Sequence, residues 1–273
     1  MLSRRYIPGP PLSDFIGCLW YWEGAPGPHT RERLLPNGEA AVIFNLLDEP
    51  IRIYNAQDIA RYADYGNAVF SGARSDCFVI DANQQERVIG IQFLPGGAFP
   101  FFRMPVSEME GASVSLDDLW PRQAAEIREQ LLAAPDVDTM LYTLERCLLQ
   151  RFVRPPELHD AVTFALRHIG GSATIGKIAA ITDRIGLSSR RFIQVFHQQV
   201  GLTPKAFCRV RRFQRVLQSV HRVGHVDWAQ VALDCGYYDQ AHCIHDFRAF
   251  SGLTPSQYHS QKTDHLNHVP IVQ

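Results

Sequence analysis

Lysine is almost missing from this chain of 273 residues. Of its 27 basic residues only Lys177, Lys205 and Lys262 are lysine, and the others are arginine. The guanidinium group forms paired hydrogen bonds with phosphate and with guanine edges, so this bias suits a nucleic-acid ligand. An arginine-rich genome would give the same composition, and the bias alone does not decide between the two explanations.

Long apolar runs and paired cysteines are missing as well. No run reaches the roughly 18 apolar residues that a membrane-spanning helix needs, and no secretory signal is recognisable. The six cysteines are scattered without a C-x-x-C pair, which disfavours a disulfide framework and favours reduced thiols. These absences predict a soluble protein of the cytoplasm.

Groups that would support catalysis are scarce in the first half. His29 is the only histidine before residue 150, so a histidine-ligated metal barrel would lack its ligands. There is no G-x-S-x-G motif, and Cys18 and Cys77 have no histidine base nearby. We therefore expect no catalytic residue, no metal and no cofactor. A small-molecule-barrel enzyme fused to a DNA-binding domain remains the alternative function, and a regulator without a ligand is a third.

The charge is divided unevenly along the chain. Residues 1–150 hold 12 Lys and Arg against 20 Asp and Glu, whereas residues 151–273 hold 15 against 8. The paired prolines of Arg154-Pro155-Pro156 cannot continue a helix and mark a linker. We predict an acidic domain over 1–153 and a basic domain over 157–260, of which only the second meets nucleic acid.

The first domain is predicted to be a β-rich barrel or sandwich with trailing helices, within an α+β chain of two domains. Several short apolar runs are bounded by Pro, Gly, Asn or Asp, which is typical of such folds. The runs are Cys18–Trp22, Glu39–Leu47, Ile51–Asn55, Val69–Ser71, Cys77–Asp81 and Arg87–Leu94.

Two features of this domain have alternative interpretations. Helices over 122–152 carry an apolar seam that either packs on its own barrel or forms a dimer interface; it consists of Val137, Leu141, Leu144 and Leu148. Four aromatic side chains either line an effector pocket or form ordinary core; they are Trp20, Trp22, Phe44 and Phe93.

The second half contains an internal repeat. Gly201-Leu202-Thr203-Pro204 recurs 51 residues later as Gly252-Leu253-Thr254-Pro255. Each copy follows a segment that consists of a helix, a glycine turn and a second helix. The second helix begins at a polar cap, Ser188 in the first segment and Asp239 in the second. This is the pattern of a helix-turn-helix. A helix over Lys205–Val220, about 24 Å long, joins the two units and would set them about one turn of DNA apart. The tail after Gln261 is expected to be loose.

The residues around the second unit resemble the AraC/XylS family of transcription regulators. The resemblance rests on Gly236 followed by an aromatic residue, Asp239, His242, the pair Phe247-Arg248, and the closing Thr254-Pro255 and Tyr258. It implies a seven-helix, all-α double helix-turn-helix domain behind an effector and dimerisation domain. It further implies promoter DNA as a partner, a homodimer, and RNA polymerase as a partner if the protein is an activator.

The resemblance also implies which side chains contact DNA. Base contacts are expected on the two recognition helices, from Ser189, Arg190, Gln194, Gln240, Ala241 and His245, with His242 facing the groove or capping the helix. Phosphate contacts are expected from Arg191, Arg211 and Arg248. Many relatives have arginine in place of Gln194 and His245, so the bases read at those positions are left open.

Overall fold

The computed structural model describes residues 2–25, 30–102, 104–152, 158–171 and 186–271. Three features of the sequence lie outside these ranges: His29, the proline linker, and the first helix of the first helix-turn-helix, which the spacing of Ile175, Ile178, Ile181 and Ile185 predicts. Within the described ranges the chain forms two antiparallel sheets and nine α-helices. The predicted α+β fold is confirmed, and its β-rich part consists of two open sheets rather than a closed barrel.

Eleven strands are described. In chain order they are β1 (Leu2–Tyr6), β2 (Ile16–Glu23), β3 (Arg31–Leu34), β4 (Ala41–Asn45), β5 (Arg52–Tyr54), β6 (Tyr62–Asp64), β7 (Ala68–Ser71), β8 (Phe78–Asp81), β9 (Arg87–Phe93), β10 (Ser113–Ser115) and β11 (His268–Pro270). The first sheet has the order β1-β2-β9-β4-β7-β10 and the second β11-β3-β8-β5-β6.

The helices are concentrated in the second half. They are α1 (Leu116–Leu119), α2 (Gln123–Leu132), α3 (Val137–Arg151), α4 (Asp160–Gly171), α5 (Ser189–Val200), α6 (Pro204–His221), α7 (Trp228–Asp234), α8 (Gln240–Ser251) and α9 (Pro255–Gln261). No helix of the described ranges is both long and apolar enough to cross a membrane.

The first core lies between the first sheet and helices α1 to α3. Side chains on a strand alternate between the faces of the sheet, and one face of β2, β4 and β9 meets the helices. Leu141, Leu144 and Leu148 of α3 are buried there, with Val137 packed at its edge. The predicted seam therefore packs on its own domain, and its interpretation as a dimer interface is wrong.

The tail after α9 is ordered, contrary to the expectation of a loose end. Val269 at the centre of β11 is buried, and β11 pairs antiparallel with β3, with His268 opposite Leu34. The Leu35 N–H also donates to the carbonyl oxygen of Asn267, at 2.8 Å. The end of the second half of the chain thus supplies an edge strand to a sheet of the first half.

Candidate DNA-binding surface and ligand cavity

The second helix-turn-helix is shaped by local chemistry. Gly236 has φ 84°, a left-handed conformation that glycine adopts without steric cost, and it follows the end of α7. Asp239 then caps α8, because its carboxylate accepts a hydrogen bond from the His242 N–H at 2.7 Å. The predicted turn and the predicted cap are both present in the structure.

The inner face of α8 packs on α6, the helix that joins the two units. The Phe213 ring of α6 lies 5.0 Å from the Phe247 ring and 5.3 Å from the Phe250 ring. Asp246 is 1 % exposed and accepts a hydrogen bond from Arg209 of α6 at 2.6 Å. Aromatic packing and an ion pair together fix the orientation of the recognition helix.

The outer face of α8 carries most of the predicted contacts. Gln240, Ala241, His245 and Arg248 are exposed. His242 is half-buried, with its ring 5.1 Å from and perpendicular to the Tyr237 ring. His242 therefore packs on the turn, and the other four side chains form the surface that a DNA groove could meet.

The first recognition helix, α5, is built in the same way. The Ser188 hydroxyl accepts from the Arg191 N–H at 3.3 Å, and Gly201, with φ 90°, ends the helix. Ser189, Arg190, Arg191 and Gln194 are all exposed. The Arg191 guanidinium donates to the Gln194 side-chain oxygen at 3.0 Å, so these two side chains hold one another on the helix surface.

Carboxylates of the first domain face the DNA-binding half. Glu110 accepts from His197 at the end of α5 at 2.7 Å. Glu39 lies 3.7 Å from Arg211 of α6, a residue predicted to contact phosphate. In this arrangement His197 and Arg211, which belong to the DNA-binding half, are paired with carboxylates of the acidic domain.

A cavity of about 500 Å³ lies between the two sheets. Trp20 and Trp22, two of the four aromatic residues considered for an effector pocket, line it. Phe44 and Phe93 do not line it: both are fully buried on the opposite face of the first sheet, against the helices. The prediction placed Phe44 on the wrong face of its strand. Successive side chains of a strand point to opposite faces of the sheet, and it is the neighbouring Ile43 that faces the cavity.

The cavity wall also contains polar groups that sequence reasoning missed. Arg74 is 6 % exposed, its Nη2 donates to the Gly111 carbonyl at 2.6 Å, and its Nε has no hydrogen-bond partner. Burial lowers the pKa of this arginine. Gln92 donates to Glu39 at 3.0 Å in the same wall. The alternation along β9 could have identified Gln92, whereas Arg74 follows a strand and carries no periodic signal.

The third polar group of the wall comes from the tail. His265, Asn267 and His268 line the cavity, and His268 Nδ1 lies 2.7 Å from the carboxylate of Glu32. Within the ranges that the structure describes, no group of three or more His, Cys, Asp or Glu side chains is placed to hold a metal ion.

Two family models match the chain. Residues 181–261 match a helix-turn-helix domain, and residues 4–115 match a domain of unknown function, DUF6597. No curated protein matches the chain significantly.

Solved structures of regulators are similar to parts of the chain. A probable AraC family transcriptional regulator from Rhodopseudomonas palustris is 25% identical, with 37% of this chain and 96% of that chain covered and a TM-score of 0.34. A regulator with an AraC-type DNA-binding domain from Chromobacterium violaceum is 21% identical over 38% and 93%, with a TM-score of 0.34. ToxT from Vibrio cholerae is 8% identical over 90% and 97%, with a TM-score of 0.46.

The helix-turn-helix match covers the repeat, the caps and the exposed faces described above. The second half of the chain is therefore a DNA-binding domain, as predicted. Together with the motif around Asp239 and Thr254, the match identifies residues 181–261 as an AraC-type helix-turn-helix domain, the kind of domain with which DNA-binding transcription regulators contact DNA.

Proposed function

We propose that residues 1–153 form an effector-binding domain and that residues 157–260 recognise promoter DNA through two recognition helices. The exposed polar face of α8, held in place by Asp246 and the Phe213 contacts, is the observation that carries the DNA-binding role. The partly open cavity between the sheets supports the effector role.

On this proposal the exposed side chains have different tasks. Arg190 suits a guanine edge, Gln194 and Gln240 suit adenine, and Ala241 suits a thymine methyl group. His245 adds a contact to a base, and the identity of that base is not assigned. Arg191 and Arg248 suit phosphates, which add affinity without sequence choice.

We infer that the effector is largely apolar and carries one acidic group. The walls are dominated by aromatic and aliphatic side chains, such as Trp20, Ile53 and Phe78. Among the described residues, no carboxylate lies within ion-pair distance of Arg74, which is buried in the wall; Asp76 acts on its charge only from a longer distance. An anionic group beside Arg74 would offset the cost of burying a charge that has no carboxylate in direct contact.

The remaining roles follow from the family and complete the proposal. The protein acts without catalysis, in the cytoplasm, as a homodimer, and contacts RNA polymerase if it activates transcription. The outward side of α3 supports the dimer, because Tyr142 and Leu149 are exposed there.

The proposal is tested by titrating the protein against genomic fragments, its own upstream region included, at two salt concentrations. Selective binding of a few fragments should persist at the higher salt. Arg190→Ala should relax the preference at one base pair, at a cost of about 1–3 kcal/mol, and Arg248→Ala should weaken binding of all sequences similarly.

A matched control is Arg61→Ala, which removes an arginine whose side chain is 84% exposed on the first domain. It should bind like the wild type. If Arg190→Ala and Arg248→Ala both keep wild-type affinity and specificity, these helices do not read DNA as proposed.

A further inference from the structure

We propose that the segment after α9, residues 262–271, completes the effector site and transmits its occupancy to α6. The inference rests on the proposed effector role of the cavity. Neither matched family model includes this segment, because the models end at residues 115 and 261. The ligand is of the class inferred above, an apolar molecule with one anionic group.

The segment forms part of the cavity wall. The His265 ring packs edge-on against the Trp22 ring, with centroids 5.3 Å apart. His268 is hydrogen-bonded to Glu32, and Asn267 lies between the two histidines on the same wall. A ligand that contacts Trp22 would therefore contact the segment as well.

One side of the segment is fastened to the first domain. Residues 268–270 pair with β3 over three positions, from His268 opposite Leu34 to Pro270 opposite Glu32. Ile271 extends the pairing, because its N–H donates to the Arg31 carbonyl at 2.9 Å. Backbone hydrogen bonds of this kind fix the register of an edge strand.

The other side is fastened to the DNA-binding half. The Tyr258 hydroxyl donates to the Leu266 carbonyl at 2.9 Å. Lys262 donates to the Val220 carbonyl, at the end of α6, at 2.7 Å. The segment is therefore a strap that joins a wall of the cavity to the end of α6.

A buried link between the segment and α6 is made by Gln214 on α6, which is 5 % exposed. Its side-chain amide donates to the Asn267 side-chain oxygen at 2.9 Å and to the Pro36 carbonyl at 2.7 Å. Pro36 and Asn267 both line the cavity. A buried donor that loses its acceptors is costly, so a displacement of either wall residue must move α6 or break these bonds.

This arrangement provides a physical basis for coupling. Helix α6 joins the two helix-turn-helix units, and its position sets the distance between the recognition helices. A ligand that binds more tightly when the strap is displaced will shift the protein toward a conformation in which α6 has moved. DNA will bind this conformation either more tightly or more weakly than the original one. The coupling must be reciprocal, so DNA must change the affinity for the ligand by the same factor.

The test uses the full chain and 8-anilinonaphthalene-1-sulfonate, a fluorescent apolar anion. The dye should saturate one site and show resonance energy transfer from tryptophan. Its binding should change the affinity of the protein for a selected DNA fragment at least fivefold. Hydrogen exchange of the amides of 266–271 and of α6 should change when the dye binds, without any substitution.

Three variants separate the steps. His265→Ala, which removes wall area, should weaken dye binding, and Gln214→Met should keep dye binding but abolish its effect on DNA affinity. Asp264→Ala is the control, since this residue is exposed and only its backbone carbonyl contacts the DNA-binding half, at His221. It should behave as the wild type.

The outcomes distinguish this inference from the proposed function. If the dye binds the cavity but exchange in 266–271 is unchanged and His265→Ala equals Asp264→Ala, the inference is overturned and the effector site stands. If the wild type does not bind the dye at all, the inferred ligand class and this inference both fail. DNA selectivity is measured independently in either case.

Discussion

Asp246 on the second recognition helix and Arg209 on α6 form a charge-assisted hydrogen bond of 2.6 Å, with the carboxylate almost fully buried. Arg212 adds a longer contact, 3.8 Å, from the same helix. Both arginines approach from the side of α8 that faces away from the predicted DNA surface. The pair therefore orients the recognition helix and does not read bases.

Replacing this carboxylate should destabilise the second domain. Asp246→Asn keeps the shape but removes the charge, and we expect a loss of about 2–3 kcal/mol in the free energy of unfolding. Urea denaturation measures it. Asp234→Asn, at an exposed position on α7, is the control and should change stability by less than about 0.5 kcal/mol. Equal effects of the two substitutions would contradict the role given to Asp246.

Features of the site that depend on neighbours in the chain were predictable from the sequence. The cap at Asp239 and the left-handed Gly236 follow from the preferences of these residue types within one helical turn. Both are found where the spacing indicates. The exposed face of α8 follows as well, because its apolar positions repeat with the helical period.

Features that depend on distant contacts were not predictable. Glu32 and His268 are 236 positions apart, and no local pattern links them. The composition of the tail does not indicate a strand. Residues 268–270 form one because they pair with the edge of β3. The assignment of Phe44 to the pocket failed for a different reason: a one-residue error in strand parity exchanges the two faces of a sheet.

Gly90 is required by the shape of the cavity. It lies directly opposite Trp20 on the neighbouring strand, and a methyl group added at Gly90 would overlap the indole ring. Gly90→Ala should displace the ring into the cavity, cost about 1–3 kcal/mol through overpacking, and weaken dye binding at least tenfold.

Tryptophan fluorescence and dye titration measure this effect. Gly9→Ala is the matched control, because an added methyl group there meets nothing within 4 Å. If Gly90→Ala binds the dye as tightly as Gly9→Ala does, the Trp20 side of the cavity is not part of the ligand site.

Glu39 should make stability depend on pH. Burial raises the pKa of this carboxyl group, against the opposing effects of Arg211, Gln92 and Arg5. The folded state therefore binds this proton more tightly than the unfolded state does. The resulting stability is fully present below the unfolded pKa, about 4.3, and is lost as the pH rises through the folded pKa.

Glu39→Gln, which is neutral at every pH, should thus be more stable than the wild type at neutral pH. The difference should shrink as the pH falls toward the unfolded pKa. Thermal unfolding at several pH values measures it. Glu49→Gln makes the same change of charge at an exposed position and serves as the control. A wild type that exceeds Glu39→Gln in stability at neutral pH would contradict this prediction.

The same substitution should change DNA binding through Arg211. Glu39 lies 3.7 Å from this guanidinium, and removing its charge leaves Arg211 available for a phosphate. We expect Glu39→Gln to bind DNA more tightly at low salt, with a dependence on salt that is steeper by about one unit in the log–log slope.

Arg211→Gln should have the opposite effect, and the double variant should match Arg211→Gln, because Glu39 then has no cation to release. Titrations over a range of salt concentrations measure all three. If Glu39→Gln still tightens DNA binding when Arg211 is absent, the carboxylate acts through the cavity wall that it shares with Gln92, and the direct ion-pair route is wrong.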